Sequence, residues 1–160
     1  MSSKTSIILC TYNEANYIEN TISELEKNIP NLEIVIVDDC SSDGTVEIIK
    51  KLNQNNKYKV IYRKKSRSLA SAFVRGVIET TGENIGWIDT NMSEVAAKFP
   101  EMIQALQSNN DIIVLSRYVE GGGDSRILLR SVSSKYFNLF CRMVLRTPIK
   151  DFTSSIFLMK

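Results

Sequence analysis

Histidine is absent from the 160 residues. That excludes Ser-His-Asp and Cys-His nucleophile systems and every His-ligated zinc site. Chemistry has to run on carboxylates, arginine, lysine, hydroxyls or the substrate's own groups. Cysteine is scarce as well: Cys10, Cys40 and Cys141 are odd in number and far apart. They form no disulfide framework and no Cys-x-x-Cys site, the usage of a reducing compartment. No apolar run approaches a membrane span, and no charged-then-apolar leader opens the chain, so the cytoplasm is the expected location. A net charge of +2 without a long basic run gives no argument for nucleic acid as a partner. The turn after the first apolar run, Cys10-Thr-Tyr-Asn-Glu14, holds no glycine, and no Walker lysine motif occurs. Dinucleotide and P-loop sites are disfavoured on that ground.

What is present is an ordinary globular composition, 43% apolar and 24% charged. The length fits one domain. Apolar runs at 5–10, 32–37, 58–62, 85–88, 111–116 and 156–159 read as strands. Helical spacing recurs between them: from Asn13 through Leu25, from about Thr45 to Asn53, from Ser68 to Thr80, from Pro100 to Leu106 and from Leu129 to Leu145. Strict alternation predicts an α/β fold with a mostly parallel sheet and right-handed crossovers. The triple glycine Gly121-Gly122-Gly123 reads as a loop.

Open α/β sheets bind ligands at the carboxyl ends of their strands. Thr11, Asp38, Arg63, Asp89 and Arg117 all end strands and could face one edge, though sheet order cannot be read from sequence. In Gly86-Trp-Ile-Asp-Thr-Asn-Met-Ser93, oxygens recur at the alternate positions Asp89, Asn91 and Ser93. On a strand end these would point one way and suit a hard cation such as Mg²⁺ or Mn²⁺ shared with a diphosphate. The bland reading is a strand end meeting water. Glu14 has its own bland reading, a first-turn acid favoured by the helix dipole, and Asp39 another, a turn-forming side chain.

Five motifs in order, Cys10-Thr-Tyr-Asn-Glu14, Val37-Asp-Asp-Cys-Ser-Ser-Asp-Gly-Thr45, Asp89-Thr-Asn-Met-Ser93, Ser116-Arg-Tyr118 and Asp151-Phe-Thr-Ser154, resemble the family 2 glycosyltransferases of GT-A fold. The branch they are most similar to is the dolichol- and polyprenyl-phosphate mannosyl- and glucosyltransferases. The resemblance implies one Rossmann-like nucleotide-sugar-binding domain over residues 1–160, with the C-terminal part of the family domain missing. It implies inverting, metal-assisted transfer of mannose or glucose from GDP-mannose or UDP-glucose to a polyprenyl phosphate, at the cytosolic membrane face. By the same resemblance Cys10, Tyr12, Glu14, Val37, Asp39 and Thr90 line the donor pocket. Asp89, Asn91 and Ser93 would hold the metal, and Arg117 and Arg130 would contact phosphates or acceptor; Asp89 and Arg117 are the catalytic candidates.

The sequence departs from the family pattern in five places. Cys10 replaces a proline, Asn91 replaces a second aspartate, Ser68-Leu-Ala70 replaces Gly-Leu-Gly, Ser155 replaces a glycine, and the chain stops at Lys160. Two alternatives follow: transfer to a sugar acceptor, with Asp151 as the base, or a nucleotide-sugar-binding relative without catalysis. The helix over 129–145 carries Tyr136, Phe137, Leu139, Phe140, Met143 and Val144 beside Lys135, Arg142 and Arg146. Part of that apolar surface is expected to meet a membrane interface or the lipid acceptor.

Overall fold

The strand β1 (Thr5–Thr11) is almost wholly buried and has a parallel neighbour on each side. A strand covered on both faces needs a continuous apolar run, and Ile7-Ile8-Leu9 supplies its centre. In the computed structural model, residues 3–64, 68–118 and 128–160 are described, residues 128–132 by their backbone alone. The element order is β1, α1 (Ile18–Asn28), β2 (Leu32–Asp38), α2 (Thr45–Leu52), β3 (Lys59–Tyr62), α3 (Leu69–Glu79) and β4 (Asn84–Trp87). A 3₁₀ turn (Ser93–Lys98) then leads into α4 (Phe99–Gln107), followed by β5 (Ile112–Val114), α5 (Leu128–Leu145) and β6 (Phe157–Met159).

The strands form one six-stranded sheet in the order β3-β2-β1-β4-β6-β5. β1 pairs in parallel with β2 and with β4, and β2 in parallel with β3. β5 and β6 run antiparallel: Leu115 N–H donates to the Ile156 carbonyl, and Lys160 N–H to the Asp111 carbonyl. The α/β alternation and mostly parallel sheet expected from the sequence are therefore present. Successive strands move outward from β1 to β2 and β3, and the chain then returns to place β4 on the other side of β1. Such a reversal opens a crevice at the carboxyl ends of β1 and β4.

Two compact units make up the chain: Met1–Ile113 with Leu158–Lys160, and Val114–Phe157. In the first, α3 lies close against the sheet because Gly76 faces it. A Cβ there would stand 2.6 Å from Ile8 Cγ2 and 3.3 Å from Val37 Cγ2. Ile8, Val35, Val37 and Ala72 form the core beneath. α1 buries Ile18, Ile22 and Leu25 at helical spacing. It begins at Ile18 and not near Asn13. Asn13 adopts a left-handed φ of 58°, and its side-chain oxygen accepts from Ser42 N–H in the neighbouring turn. The helix is opened by the Glu14 carbonyl, which accepts from Ile18 N–H at 3.0 Å.

In the second unit, α5 ends where Arg146 turns left-handed at φ 48°. The turn that follows is tied back to the helix: Phe152 N–H donates to Asn138 Oδ1 at 2.6 Å, and the Ser134 and Thr153 hydroxyls lie 2.7 Å apart. Ser134 and Asn138 are buried in consequence. The Gly121-Gly122-Gly123 loop lies outside the described residues.

Candidate active site

The crevice at the switch point is a cavity of about 410 Å³. The end of β1 and its turn give it Cys10, Thr11, Tyr12 and Glu14; the end of β2 gives Asp39; the start of α3 gives Ser68, Leu69 and Ala72. The turn after β4 gives Asp89, Thr90 and Asn91. Parallel pairing in register, Cys10 with Val37 and Thr11 with Asp38, brings these ends to one level.

Two turns are laced together to make the floor. Asp38 is buried and accepts from the Thr11 hydroxyl at 2.9 Å and from Ser41 N–H at 3.0 Å. Asn13 N–H donates to Ser41 Oγ, Glu14 N–H to Thr45 Oγ1 and Ala15 N–H to Asp43 Oδ2. Asp38 thus shapes the backbone, while Asp39 faces the cavity. Arg63, one residue beyond β3, grips Asp39 with both prongs of its guanidinium: Nη2 donates to Oδ2 at 2.6 Å and Nε to Oδ1. Nη1 reaches Ser71 Oγ at 2.8 Å. The sequence placed Arg63 only at a strand end. Its partner could not be read until β3 and β2 were known to be neighbours.

Charge in the cavity is mostly negative. Burial pushes the Glu14 carboxyl above its ordinary value; a hydrogen bond with Thr90 works against the rise, and the nearby Asp89 charge adds to it. Burial, with Asp39 next in effect, pushes the Cys10 thiol up to about 12, so Cys10 is no thiolate at neutral pH. A divalent cation would relieve the mutual repulsion of Glu14 and Asp89, and the oxygen donors of Asp89 and Asn91 suit a hard ion. Among the described residues no three His, Cys, Asp or Glu groups make a metal cluster by themselves. A ligand diphosphate would have to complete the shell.

The family model for glycosyl transferase family 2 matches residues 6–160. The chain belongs to that family. It is 37% identical over 121 residues to a dolichol-phosphate mannosyltransferase of Pyrococcus furiosus, an alignment covering 74% of this chain and 34% of the relative. The family 2 chain therefore spans about a third of the length of that curated relative. Among solved structures it resembles a mannosyltransferase from Pyrobaculum calidifontis, in complex with GDP-Man and Mn²⁺, at TM-score 0.66 and 19% identity. That match covers 100% of this chain and 45% of the other. Glucosyl-3-phosphoglycerate synthase from Mycobacterium tuberculosis, in complex with Mn²⁺, UDP and phosphoglyceric acid, matches at TM-score 0.72 and 17% identity. Here the coverage is 99% of this chain and 56% of the other. These two likenesses establish the GT-A fold.

Within the family 2 chain, Cys10, Tyr12, Glu14, Asp39, Asp89, Thr90 and Asn91 come together around the cavity. Val37 does not line it; the side chain is fully buried beneath the floor. Ser93 starts the 3₁₀ turn, and its hydroxyl accepts from Asn20 Nδ2 at 2.7 Å. Strand alternation stops at Trp87: residues 89–92 form a turn closed by Met92 N–H on the Asp89 carbonyl. Asp89, Asn91 and Ser93 are thus not alternate residues of one strand. Thr21 Oγ1 holds that turn by donating to the Thr90 carbonyl.

Arg117 belongs to the second unit and is paired with Asp151 there. Nε and Nη2 each donate to a different Asp151 oxygen at 2.9 Å, and Nη2 also reaches Thr153 Oγ1 at 2.8 Å. Burial alone would raise the Asp151 carboxyl; the bonds from Arg117 and Thr153 outweigh it and hold the group below the usual carboxylate range. Arg130 lies on α5 with its side chain outside the described residues.

Proposed function

We propose that residues 1–160 are the GT-A domain of an inverting, metal-assisted transferase. It would move mannose or glucose from GDP-mannose or UDP-glucose to a polyprenyl phosphate, at the cytosolic face of a membrane. The observation that carries this reading is the cavity at the β1/β4 reversal, where Glu14, Asp39 and Asp89 face one volume sized for a nucleotide sugar. Carboxylates accept from base N–H groups and sugar hydroxyls. Asp39, oriented by Arg63, suits the base; Tyr12, Glu14 and Thr90 line the same cavity and would border the donor. Asp89 and Asn91 would hold Mg²⁺ or Mn²⁺, which supplies charge to a departing nucleoside diphosphate. The Ser93 hydroxyl accepts from Asn20 and would have its second lone pair left for the cation. By the family resemblance Arg117 and Arg130 would contact phosphates or acceptor, Arg117 from its pair with Asp151.

The chemistry suits a chain without histidine. A phosphate monoester has a second pKa of about 6 and is largely a dianion at neutral pH. It attacks the anomeric carbon without a base, so the protein has only to align reactants and stabilise the leaving diphosphate. A sugar hydroxyl as acceptor would need a base; Arg117 occupies both Asp151 oxygens and lowers the carboxylate's affinity for a proton, which makes it a poor one. That observation favours the phosphate acceptor. Incubating the chain with each donor, a short-chain polyprenyl phosphate and Mn²⁺ tests the reading. Product with inverted anomeric configuration supports it; donor binding without turnover leaves a binding relative.

A further inference from the structure

Thr21 is fully buried, on the face of α1 that also buries Ile18 and Leu25. Valine would fill that volume with no polar atom to satisfy, so a hydroxyl there calls for a role. Inside a helix such a hydroxyl commonly turns back on the carbonyl three or four residues earlier. Thr21 Oγ1 instead reaches out of the helix and donates to the Thr90 carbonyl, in the turn after β4. Its own N–H keeps the ordinary helical bond, to the Tyr17 carbonyl at 3.0 Å.

The Thr90 carbonyl stands at the centre of the candidate metal site, because its neighbours Asp89 and Asn91 both line the donor cavity. The peptide it belongs to joins Thr90 to Asn91 and is planar. Anchoring its oxygen fixes that plane and limits how far the residues on either side can swing. The Thr90 hydroxyl is bonded to Glu14, so both polar groups of this residue are tied to the segment running from β1 into α1. A second tie from α1 lies at the far end of the turn, where Asn20 Nδ2 donates to Ser93 Oγ at 2.7 Å. Asn20 is exposed, and water competes for a bond made there. Thr90 is buried, and its carbonyl depends on a protein donor. The tie from Thr21 is the stronger of the two.

We propose that Thr21 is a positioning residue for the divalent cation: by holding the Thr90 carbonyl it keeps Asp89 and Asn91 turned into the cavity. Thr21 is not among the cavity's lining residues and acts only through the turn. This rests on the reading that Asp89 and Asn91 hold Mg²⁺ or Mn²⁺. It goes further by placing part of the metal affinity in α1, through the backbone that carries the ligands.

The test is calorimetric titration of Mn²⁺ into the 160-residue chain saturated with UDP, and separately with GDP. Thr21→Val keeps the volume and removes the donor; Thr21→Ser keeps the donor and removes a methyl group. Thr21→Val should weaken Mn²⁺ binding roughly three- to tenfold, the worth of one neutral hydrogen bond. Thr21→Ser should bind Mn²⁺ within about twofold of the parent, although its thermal midpoint falls for want of a buried methyl. UDP or GDP affinity in EDTA should be unchanged in both, because the Asp39 end of the cavity is untouched. A threonine that serves the fold alone predicts a different pattern, in which metal affinity follows the thermal midpoint. Parental Mn²⁺ affinity in folded Thr21→Val, or a loss in Thr21→Ser as large as in Thr21→Val, overturns the positioning role. Where Thr21→Val does not fold, Thr21→Cys, a weaker donor in a similar volume, carries the same comparison with Thr21→Ser. Asp89→Asn separates the two levels. If it takes up Mn²⁺ with nucleotide as the parent does, the metal reading itself fails, and the role of Thr21 with it.

Discussion

Arg117 and Asp151 form a two-pronged ion pair in which the carboxylate is fully buried and the guanidinium a quarter exposed. Removing one partner of a buried pair leaves an uncompensated charge and costs about 3 kcal/mol or more. Arg117→Ala should lower the unfolding midpoint accordingly. Arg117→Ala/Asp151→Ala should cost much less than the sum of the two single changes. Denaturant titrations of the four proteins measure the coupling; additive costs would mean the pair contributes no mutual energy. Activity lost in Arg117→Ala therefore has to be separated from lost folding. Arg117→Lys keeps a cation beside the buried carboxylate and so should cost less folding than Arg117→Ala, which makes it the better probe of activity, although it too gives up the two-pronged grip on Asp151.

Gly76 lets α3 lie close on the sheet, and the atom a Cβ there would meet first, at 2.6 Å, belongs to the fully buried Ile8. That side chain has no free space to turn into. Gly76→Ala should destabilise by about 1–3 kcal/mol through overpacking, against the small helix-propensity gain that alanine brings. Ile8→Ala, which removes both Cγ atoms, should cost less in the Gly76→Ala background than in the parent. A Gly76→Ala protein as stable as the parent in urea would show that α3 can move outward freely.

The opposite end of the sheet carries a carboxylate anchor. Glu33 accepts from Thr81 N–H and Thr81 Oγ1, each at 2.8 Å, and from Ser6 Oγ and Lys4 Nζ. Burial works to raise its pKa, but these donors together hold it far below the ordinary glutamate value. A depressed pKa stabilises the fold fully above the unfolded value of about 4.3, and that contribution is lost as pH falls toward the folded value. The thermal midpoint should drop progressively below about pH 4. Glu33→Gln should be less stable than the parent at neutral pH and nearly equal to it near the bottom of the acid range. Parallel melting curves across pH would refute the anchor.

Alternating apolar runs and helical spacing were enough to predict a parallel α/β sheet, because strands covered on both faces favour near-continuous apolar runs. The carboxylates at the strand ends were legible for the same reason: Glu14, Asp39 and Asp89 stand where apolar runs stop. What the sequence hid depends on neighbours. Arg63 meets Asp39 only because β3 lies beside β2, and Val37 is hidden only because α3 covers that face. Asp89, Asn91 and Ser93 looked like alternate strand residues because Trp87-Ile88 has strand character. The tight turn at 89–92 and the Asn20–Ser93 bond are tertiary events. Asn13, a good helix cap by composition, is instead used to cap a different turn.

Asn91 stands beside Asp89 at the cavity, in the place where the resembling family carries a second aspartate. An amide there removes one negative charge from the neighbourhood of a bound cation. Attraction between unit charges about 4 Å apart is roughly 4 kcal/mol at an effective dielectric of about 20, before desolvation offsets much of it. Asp89 remains, and Mg²⁺ tolerates a single protein carboxylate when phosphates supply the other oxygens. Mn²⁺ should therefore bind weakly to the free chain and much more tightly together with GDP or UDP. Asn91→Asp should tighten binding in the absence of nucleotide, whereas Asp89→Asn should abolish it even in its presence. Glu14 supplies an independent readout, because its carboxyl is raised in part by Asp89. A cation on Asp89 should pull the Glu14 titration toward lower pH, visible by carboxyl NMR without any turnover. Calorimetric titration of the three proteins decides the matter: if Asp89→Asn binds metal and nucleotide as the parent does, the turn after β4 is not the metal site.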